Sequence, residues 1–245
     1  MIAEVIYLEE YMRNHMSNDI LEEAAVLYDC AIETFKDLGG FENFVYEFIK
    51  NNQYYIIRFV HSVHRSYDLV QAEIEFIDYL DYNHACVSKV VHSINQAIVE
   101  KITIDKQYYF SIAVFEKAKG THVQKSDLTP GFYRMFGEKV GQLHRLTKTF
   151  KPQHKRIQWF DENILDIGER ALDQEDYPIL TMYIEVVKRI KQLSTNINNY
   201  GLIHTDLHFG NMYFDQEKLT FFDFDDSSYK HFLSDIAIII YYSFM

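Results

Sequence analysis

The sequence predicts an α+β fold in two parts, in which a small antiparallel sheet with helices precedes a mostly helical region. Two pairs of strand-like runs, each following a helical pattern, lie in the first half of the chain. After Gly120 helical patterns prevail, and the change falls near residues 116–120. We therefore expect an N-terminal part of residues 1–117 and a C-terminal part of residues 118–245.

The N-terminal helices are predicted from apolar residues at helical spacing. Residues 18–38 show this spacing and are followed by Gly39-Gly40, a stop signal. A second helix is expected from about Asp68 to Tyr82. The two hairpins are FVYEFIK with YYIIRFV, around residues 51–53, and AIVEKITI with YYFSIAVFE, around residues 105–107.

The C-terminal part begins with two long amphipathic patterns, FYRMFGEKVGQLHRLTKTF and PILTMYIEVVKRIKQLSTNI. Pro178 stands near the start of the second, where proline is favoured. After the polar segment LIHTDLHFGN, the runs MYFD and KLTFFDFDD predict a short hairpin around Gln216-Glu217. A final helix is expected from about Tyr229.

Composition excludes several classes of protein. Apolar residues make up 48% of the 245 residues and charged ones 24%, as in soluble globular proteins. The formal charge of −12 disfavours nucleic acid as a partner and mildly favours cationic small molecules. The longest apolar run, IAIIIYYSFM, is too short to span a bilayer. Cys30 and Cys86 form no metal-binding or redox motif, and the charged N-terminus is unlike an export signal, so we expect a cytoplasmic protein.

The segment HTDLHFGN, residues 204–211, concentrates the polar chemistry of the chain. His204 and His208 have the spacing of a helical zinc pair, but Gly210 and Asn211 argue against a helix there. A polar loop that only satisfies its own backbone is the second interpretation. Asp206, Asn211 and Asp223 favour a third, because an amide and a carboxylate oxygen suit magnesium while a separate aspartate can accept a proton. Phosphoryl transfer needs that division of roles, and the spacing of Asp206 and Asn211 equals that in H-R-D-L-x-x-x-N.

HTDLHFGN with FFDFDD resembles the aminoglycoside phosphotransferase and choline kinase superfamily, whose hallmark is H-G-D-x-H-x-x-N followed by a strand that ends in a metal-binding Asp. Weaker matches extend over most of the chain and are GGFENFVY, YYIIRF, AEIEFIDYL, FEKAKG, GQLHRL and SDIA. The resemblance implies a two-lobed protein-kinase-like fold with a nucleotide-binding N-terminal lobe and a catalytic C-terminal lobe. It also implies transfer of the γ-phosphate of ATP or GTP to a hydroxyl of a small molecule of aminoglycoside, choline or amino-alcohol type.

The resemblance assigns roles to individual residues. It makes Asp206 the catalytic base and makes Asn211 and Asp223 the magnesium ligands. Arg58 and Glu73 would position the phosphates of the nucleotide.

The resemblance also places the hinge between the lobes, where the backbone near Glu116 and Ala118 would hold the purine. Asp225 and Asp226 either face an amine-bearing acceptor or form a solvated turn.

The chain departs from the family pattern at three points. Thr205 replaces the usual glycine, and Arg58 stands where protein kinases use lysine. Glu75 competes with Glu73 for the pairing with Arg58, and we prefer Glu73 because it stands seven residues before Leu80. The sequence also stops soon after Asp235, where relatives continue with acceptor-site helices. A non-catalytic nucleotide-binding or interaction module is therefore the alternative prediction, and oligomeric state is left open.

Overall fold

The N-terminal half is an antiparallel sheet with helices against it. In the computed structural model, which describes residues 11–40, 42–161, 177–216 and 218–244, the sheet runs in the order β1-β2-β3-β6-β4, with β5 also paired to β6. Its strands are β1 (Lys36–Gly39), β2 (Phe44–Lys50), β3 (Gln53–His61), β4 (Val90–Val91), β5 (Glu100–Thr103) and β6 (Tyr109–Glu116). Helices α1 (Asn18–Leu27) and α2 (Tyr67–Tyr82) accompany it.

The C-terminal half contains helices α3 (Pro130–Thr147), α4 (Tyr177–Lys191) and α5 (Leu233–Phe244). Two small antiparallel sheets lie among them. One has β7 (Thr121–His122), β9 (Met212–Phe214) and β10 (Leu219–Phe221), in the order β10-β9-β7. The other pairs β8 (Tyr200–Ile203) with β11 (Ser228–His231).

Most predicted elements are confirmed, and local chemistry explains why. Asn51 and Asn52 take positive φ angles of 51° and 62° in the turn between β2 and β3, which asparagine tolerates better than most residues. Helix α3 begins with Thr129, whose hydroxyl accepts the Phe132 N–H, followed by Pro130 at its first position.

Three element boundaries were predicted wrongly, one of which is the end of α4, at Lys191 instead of residue 197. The first helix ends at Leu27 instead of residue 38, because Asp29 turns the chain with φ of 49° and residues 36–39 pair with β2 as a strand. The last helix begins at Leu233 instead of Tyr229, since residues 228–231 pair with β8. The predicted turn at Gln216-Glu217 includes a residue outside the described ones; the strands on either side of it are present.

One hydrophobic core continues across the boundary between the two parts. It contains Ile74 and Leu80 of α2, Phe136 and Val140 of α3, and Phe221 of β10. A second cluster joins α1 to the sheet through residues such as Ala24, Phe48, Ile57 and Phe110. The polar loop after β8, through Leu207, and α2 therefore share the same packing. No helix in the described part of the chain has the length and apolar character needed to cross a membrane.

Candidate active site

A cleft of about 700 Å³ lies between the sheet and the polar loop that follows β8. The turn from β1 to β2, the middle of β3 and the end of β6 form its N-terminal wall. The opposite wall includes Asp206, Asn211 and Asp223. A volume of this size is typical of sites for small molecules.

The polar loop fixes Asp206 and Asn211 relative to each other. The Asn211 side-chain nitrogen donates to the Asp206 backbone oxygen at 2.9 Å and to its carboxylate Oδ2 at 3.0 Å. Asn211 is buried, whereas the Asp206 side chain is 38% exposed toward the cleft. This arrangement leaves the Asn211 Oδ1 oxygen as the amide atom available to a cation.

Thr205 occupies a backbone conformation that explains the glycine usual in relatives. Its φ is 67°, a region that β-branched residues rarely adopt. Two hydrogen bonds hold it there: its N–H donates to Asp235 Oδ1 at 2.8 Å, and its hydroxyl donates to the Asp226 backbone oxygen at 2.5 Å. Asp235 in turn contacts His144 Nε2 at 2.9 Å. The loop is thus fastened to α5 through a fully buried carboxylate.

Asp223 follows β10 and faces the cleft from a strained backbone position, with φ of 64°. Its carboxylate Oδ1 lies 3.6 Å from Arg58 Nη1. The side chain is about half exposed, so a carboxylate oxygen remains accessible. Asn211 and Asp223 therefore offer an amide and a carboxylate oxygen in one cleft, a donor set that fits magnesium.

Arg58 and Glu73 form a buried ion pair, with Nη2 and Oε2 separated by 2.6 Å. Burial opposes the charge of Arg58, but the neighbouring Glu73 raises its pKa overall, so the guanidinium stays protonated. Glu75 faces elsewhere, and its carboxylate accepts the backbone N–H groups of Gln153 and His154 at 2.7 and 3.0 Å. The pairing of Arg58 with Glu73 instead of Glu75 follows from the position of each on α2.

The two hinge residues differ in their placement. Ala118 lines the cleft together with Lys117. Glu116 is not among the described residues that line it; its N–H donates to the Lys89 carbonyl at 2.8 Å and its side chain pairs with Lys89 at 2.9 Å. The structure therefore brings Ala118, but not the side chain of Glu116, to the site.

Asp225 and Asp226 have different surroundings. Asp225 is 5% exposed, and its Oδ2 contacts His64 Nε2 at 2.8 Å. Burial raises the pKa of Asp225, but the His64 hydrogen bond and the charge of Arg58 outweigh it and keep that pKa well below its usual range. Asp226 is half exposed and pairs with Arg65 at 2.9 Å. Of the two, only Asp226 has the exposure to meet an acceptor.

Arg156, which the sequence patterns did not single out, supports the wall of the cleft from behind. Its buried guanidinium donates to the backbone oxygens of Ser227 at 2.7 Å and Leu69 at 2.9 Å, and also to that of Asp225. It ties the loop after β10 to the first turn of α2. Arg156 stands alone between two predicted helices and belongs to no motif, so the sequence offered no signal for its role.

The zinc interpretation finds no support in the geometry. His204 is buried with Nε2 on the Phe222 carbonyl at 3.0 Å, and His208 Nδ1 accepts the Gly210 N–H at 2.8 Å. Within the described residues, the His, Asp and Glu side chains close enough to share an ion are Glu42, His64 and Asp225. That group contains neither histidine of the loop.

The small sheet, the helical half and the cleft between them are the arrangement of a kinase-like fold. The chain belongs to the phosphotransferase enzyme family, whose family model matches residues 35–245. This confirms the family resemblance and the two-lobed kinase-like fold.

Individual relatives agree with this assignment. Amicoumacin kinase of Bacillus subtilis (strain 168) is 34% identical over 225 residues, which are 91% of this chain and 67% of that protein. The solved structure of amicoumacin kinase hAmiN in complex with AMP-PNP, Ca2+ and Ami matches with a TM-score of 0.90 and 30% identity, over 95% of this chain and 71% of that one. A microcompartment-associated aminopropanol kinase shares the fold, with a TM-score of 0.73 and 19% identity over 91% and 74% of the two chains.

Proposed function

We propose that the protein transfers the γ-phosphate of ATP or GTP to a hydroxyl of a small molecule, with magnesium. The observation that carries this proposal is the placement of Asp206, Asn211 and Asp223 on one wall of the cleft, with Arg58 close to Asp223. Phosphoryl transfer needs a carboxylate to accept the proton, oxygen ligands for the metal and a cation for the phosphates, and these residues supply each of them.

Asp206 is the catalytic base in this proposal. As the acceptor oxygen bonds to the γ-phosphorus, the bond from that phosphorus to the bridging oxygen breaks and the hydroxyl proton passes to the Asp206 carboxylate. The nucleoside diphosphate leaves with the bridging oxygen. Asn211 and Asp223 would hold magnesium, which would neutralise charge on the phosphates.

The nucleotide is held by the opposite wall. Arg58 reaches the phosphates from β3 while Glu73 keeps its guanidinium in place. The backbone near Glu116 and Ala118 holds the purine, and Ala118 is the hinge residue at the cleft.

The acceptor is proposed to be an amine-bearing alcohol. The half-exposed carboxylates of Asp206 and Asp226 give the acceptor side of the cleft an acidic character. The relatives named for amicoumacin and aminopropanol make these two compounds the first acceptors to test.

The test is release of ADP or GDP with amicoumacin, aminopropanol, choline and an aminoglycoside, each with magnesium and with EDTA. Asp206→Asn should lower kcat by about 10²–10⁴-fold and leave binding of magnesium-nucleotide intact. Asp223→Asn should weaken magnesium and nucleotide binding together. Asp105→Asn is the matched control, since Asp105 lies in the turn between β5 and β6 and does not line the cleft. Binding of magnesium-nucleotide with no diphosphate release for any acceptor would favour the non-catalytic module instead.

A further inference from the structure

His208, the second histidine of the catalytic loop, has a ring that is fixed by its neighbours. Its Nδ1 accepts the Gly210 N–H at 2.8 Å. The ring centroid lies 4.9 Å from that of Tyr242 on α5. About a quarter of the side chain is exposed, so these contacts rather than deep burial hold the imidazole.

Gly210 makes room for this ring. A Cβ atom at position 210 would lie 2.5 Å from His208 Cε1 and 2.9 Å from Nδ1, distances that real Cβ contacts do not reach. The loop can therefore keep the imidazole in this place only because residue 210 has no side chain.

The Gly210 contact also decides which ring nitrogen carries the proton. A nitrogen that accepts a hydrogen bond is unprotonated, so the proton of the neutral ring is on Nε2. Nε2 lies 3.4 Å from Asp206 Oδ2, the same oxygen that accepts from Asn211 at 3.0 Å. Within the described residues, no hydrogen bond reaches the other carboxylate oxygen, Oδ1.

We propose that His208 is a positioning residue that holds Asp206 Oδ2 through its Nε2–H, so that Oδ1 is the oxygen that takes the acceptor proton. The inference rests on the proposed function, in which Asp206 is the base. With Asn211 on Oδ2 and His208 near it, rotation of the carboxylate is restricted, and Oδ1 is the oxygen left for the acceptor proton. The separation of 3.4 Å is long for a hydrogen bond, as catalytic contacts often are before substrate binds.

Two substitutions of His208 separate the roles of its two ring nitrogens. Asparagine at position 208 places an acceptor near the position of Nδ1 and preserves the hydrogen bond from the Gly210 N–H, but its side chain is too short to reach Asp206. Glutamine at position 208 places a donor near the position of Nε2, but it lacks an acceptor for the Gly210 N–H. His208→Asn should lower kcat about 10-fold, since misplacement of a catalytic group by an ångström costs up to about 100-fold, with KM for nucleotide and acceptor nearly unchanged. His208→Gln should recover most of kcat even where its melting temperature is lower.

Gly210→Ala provides an independent variant, because the added methyl displaces the ring without removing it. It should lower kcat to a similar extent, and combining it with His208→Asn should lower kcat no further. Wild-type kcat in His208→Asn, or equal losses in the Asn and Gln variants that follow their melting temperatures, would overturn the positioning role. Asp206→Asn, assayed alongside, distinguishes the two failures. An inactive Asp206→Asn beside a fully active His208→Asn rejects only this inference, whereas an active Asp206→Asn rejects the proposed function.

Discussion

Arg58 shows at the scale of one residue why lysine and arginine are not equivalent here. One of its terminal nitrogens contacts Glu73 at 2.6 Å and the other lies 3.6 Å from Asp223. A single ammonium group cannot make both contacts in this geometry. The guanidinium therefore links α2 to the loop that follows β10.

Arg58→Lys should weaken binding of magnesium-nucleotide by about 10-fold and destabilise the fold only mildly, because a positive charge remains beside Glu73. Arg58→Ala should instead lower the free energy of unfolding by about 3–5 kcal/mol, since it leaves the buried Glu73 without its charge partner. Nucleotide titrations of thermal stability measure both effects. Equal nucleotide affinity for wild type and Arg58→Lys would show that the second contact has no part in binding.

The residues whose place in the cleft could be predicted were those in a dense motif. Asp206, Asn211 and Asp223 were placed by spacing, and all three line the cleft. The position of Asp225 could not be predicted, because its burial depends on His64 and Arg156, which are distant in sequence. Glu116 was assigned by a hinge pattern that fixes the backbone path but not the direction of a side chain.

At the scale of elements, the hairpins and α2 could be predicted because their turn residues and apolar periodicity agree with the fold. Strand β1 could not be predicted. Its four residues are exposed or half-buried and, among the strands that the structure describes, pair with β2 alone, so the sequence carries no alternating apolar signal there. Pairing with β2, and not local propensity, determines that this segment is a strand.

Strand β3 ends in a histidine that makes stability depend on pH. His61 is buried, its Nδ1 accepts the Val63 N–H, and its Nε2 lies 2.9 Å from His15 Nδ1. Burial, followed by the nearby His15, lowers the pKa of His61 to about 4. In the unfolded chain the same group titrates near about 6.5.

Between those two values the unfolded chain binds a proton that the folded chain does not, so the free energy of unfolding should fall as pH falls from about 6.5 to about 4. His61→Asn keeps an acceptor for Val63 and removes the titration, so the slope of stability against pH should decrease. Urea unfolding at several pH values measures it. His92→Gln, at an exposed position, is the control; an unchanged slope in His61→Asn would contradict the assignment.

At the scale of the whole molecule, the two parts of the chain are joined by more than their hinge. The hydrophobic core crosses the boundary, and Arg156 and Glu75 bind segments on its far side. Helix α2 is therefore attached both to the C-terminal half and to the sheet.

Arg156→Lys should lower the free energy of unfolding by about 3 kcal/mol, since the single nitrogen of a lysine side chain cannot reach the three backbone oxygens that Nε, Nη1 and Nη2 of the buried arginine contact. It should also weaken magnesium binding, because the loop after Asp223 loses its anchor to α2. Arg145→Lys, at an exposed position of α3, should change neither. Chemical unfolding and magnesium titration check both expectations, and unaltered magnesium affinity would limit Arg156 to a role in stability.

The attachment of α2 by Arg156 limits how the two walls of the cleft can move relative to each other. Arg58 belongs to strand β3 of the sheet, and Glu73 belongs to α2, which Arg156 ties to the C-terminal half. A movement of the sheet away from α2 would have to lengthen the buried Arg58–Glu73 ion pair. The pair therefore opposes separation of the two walls of the cleft.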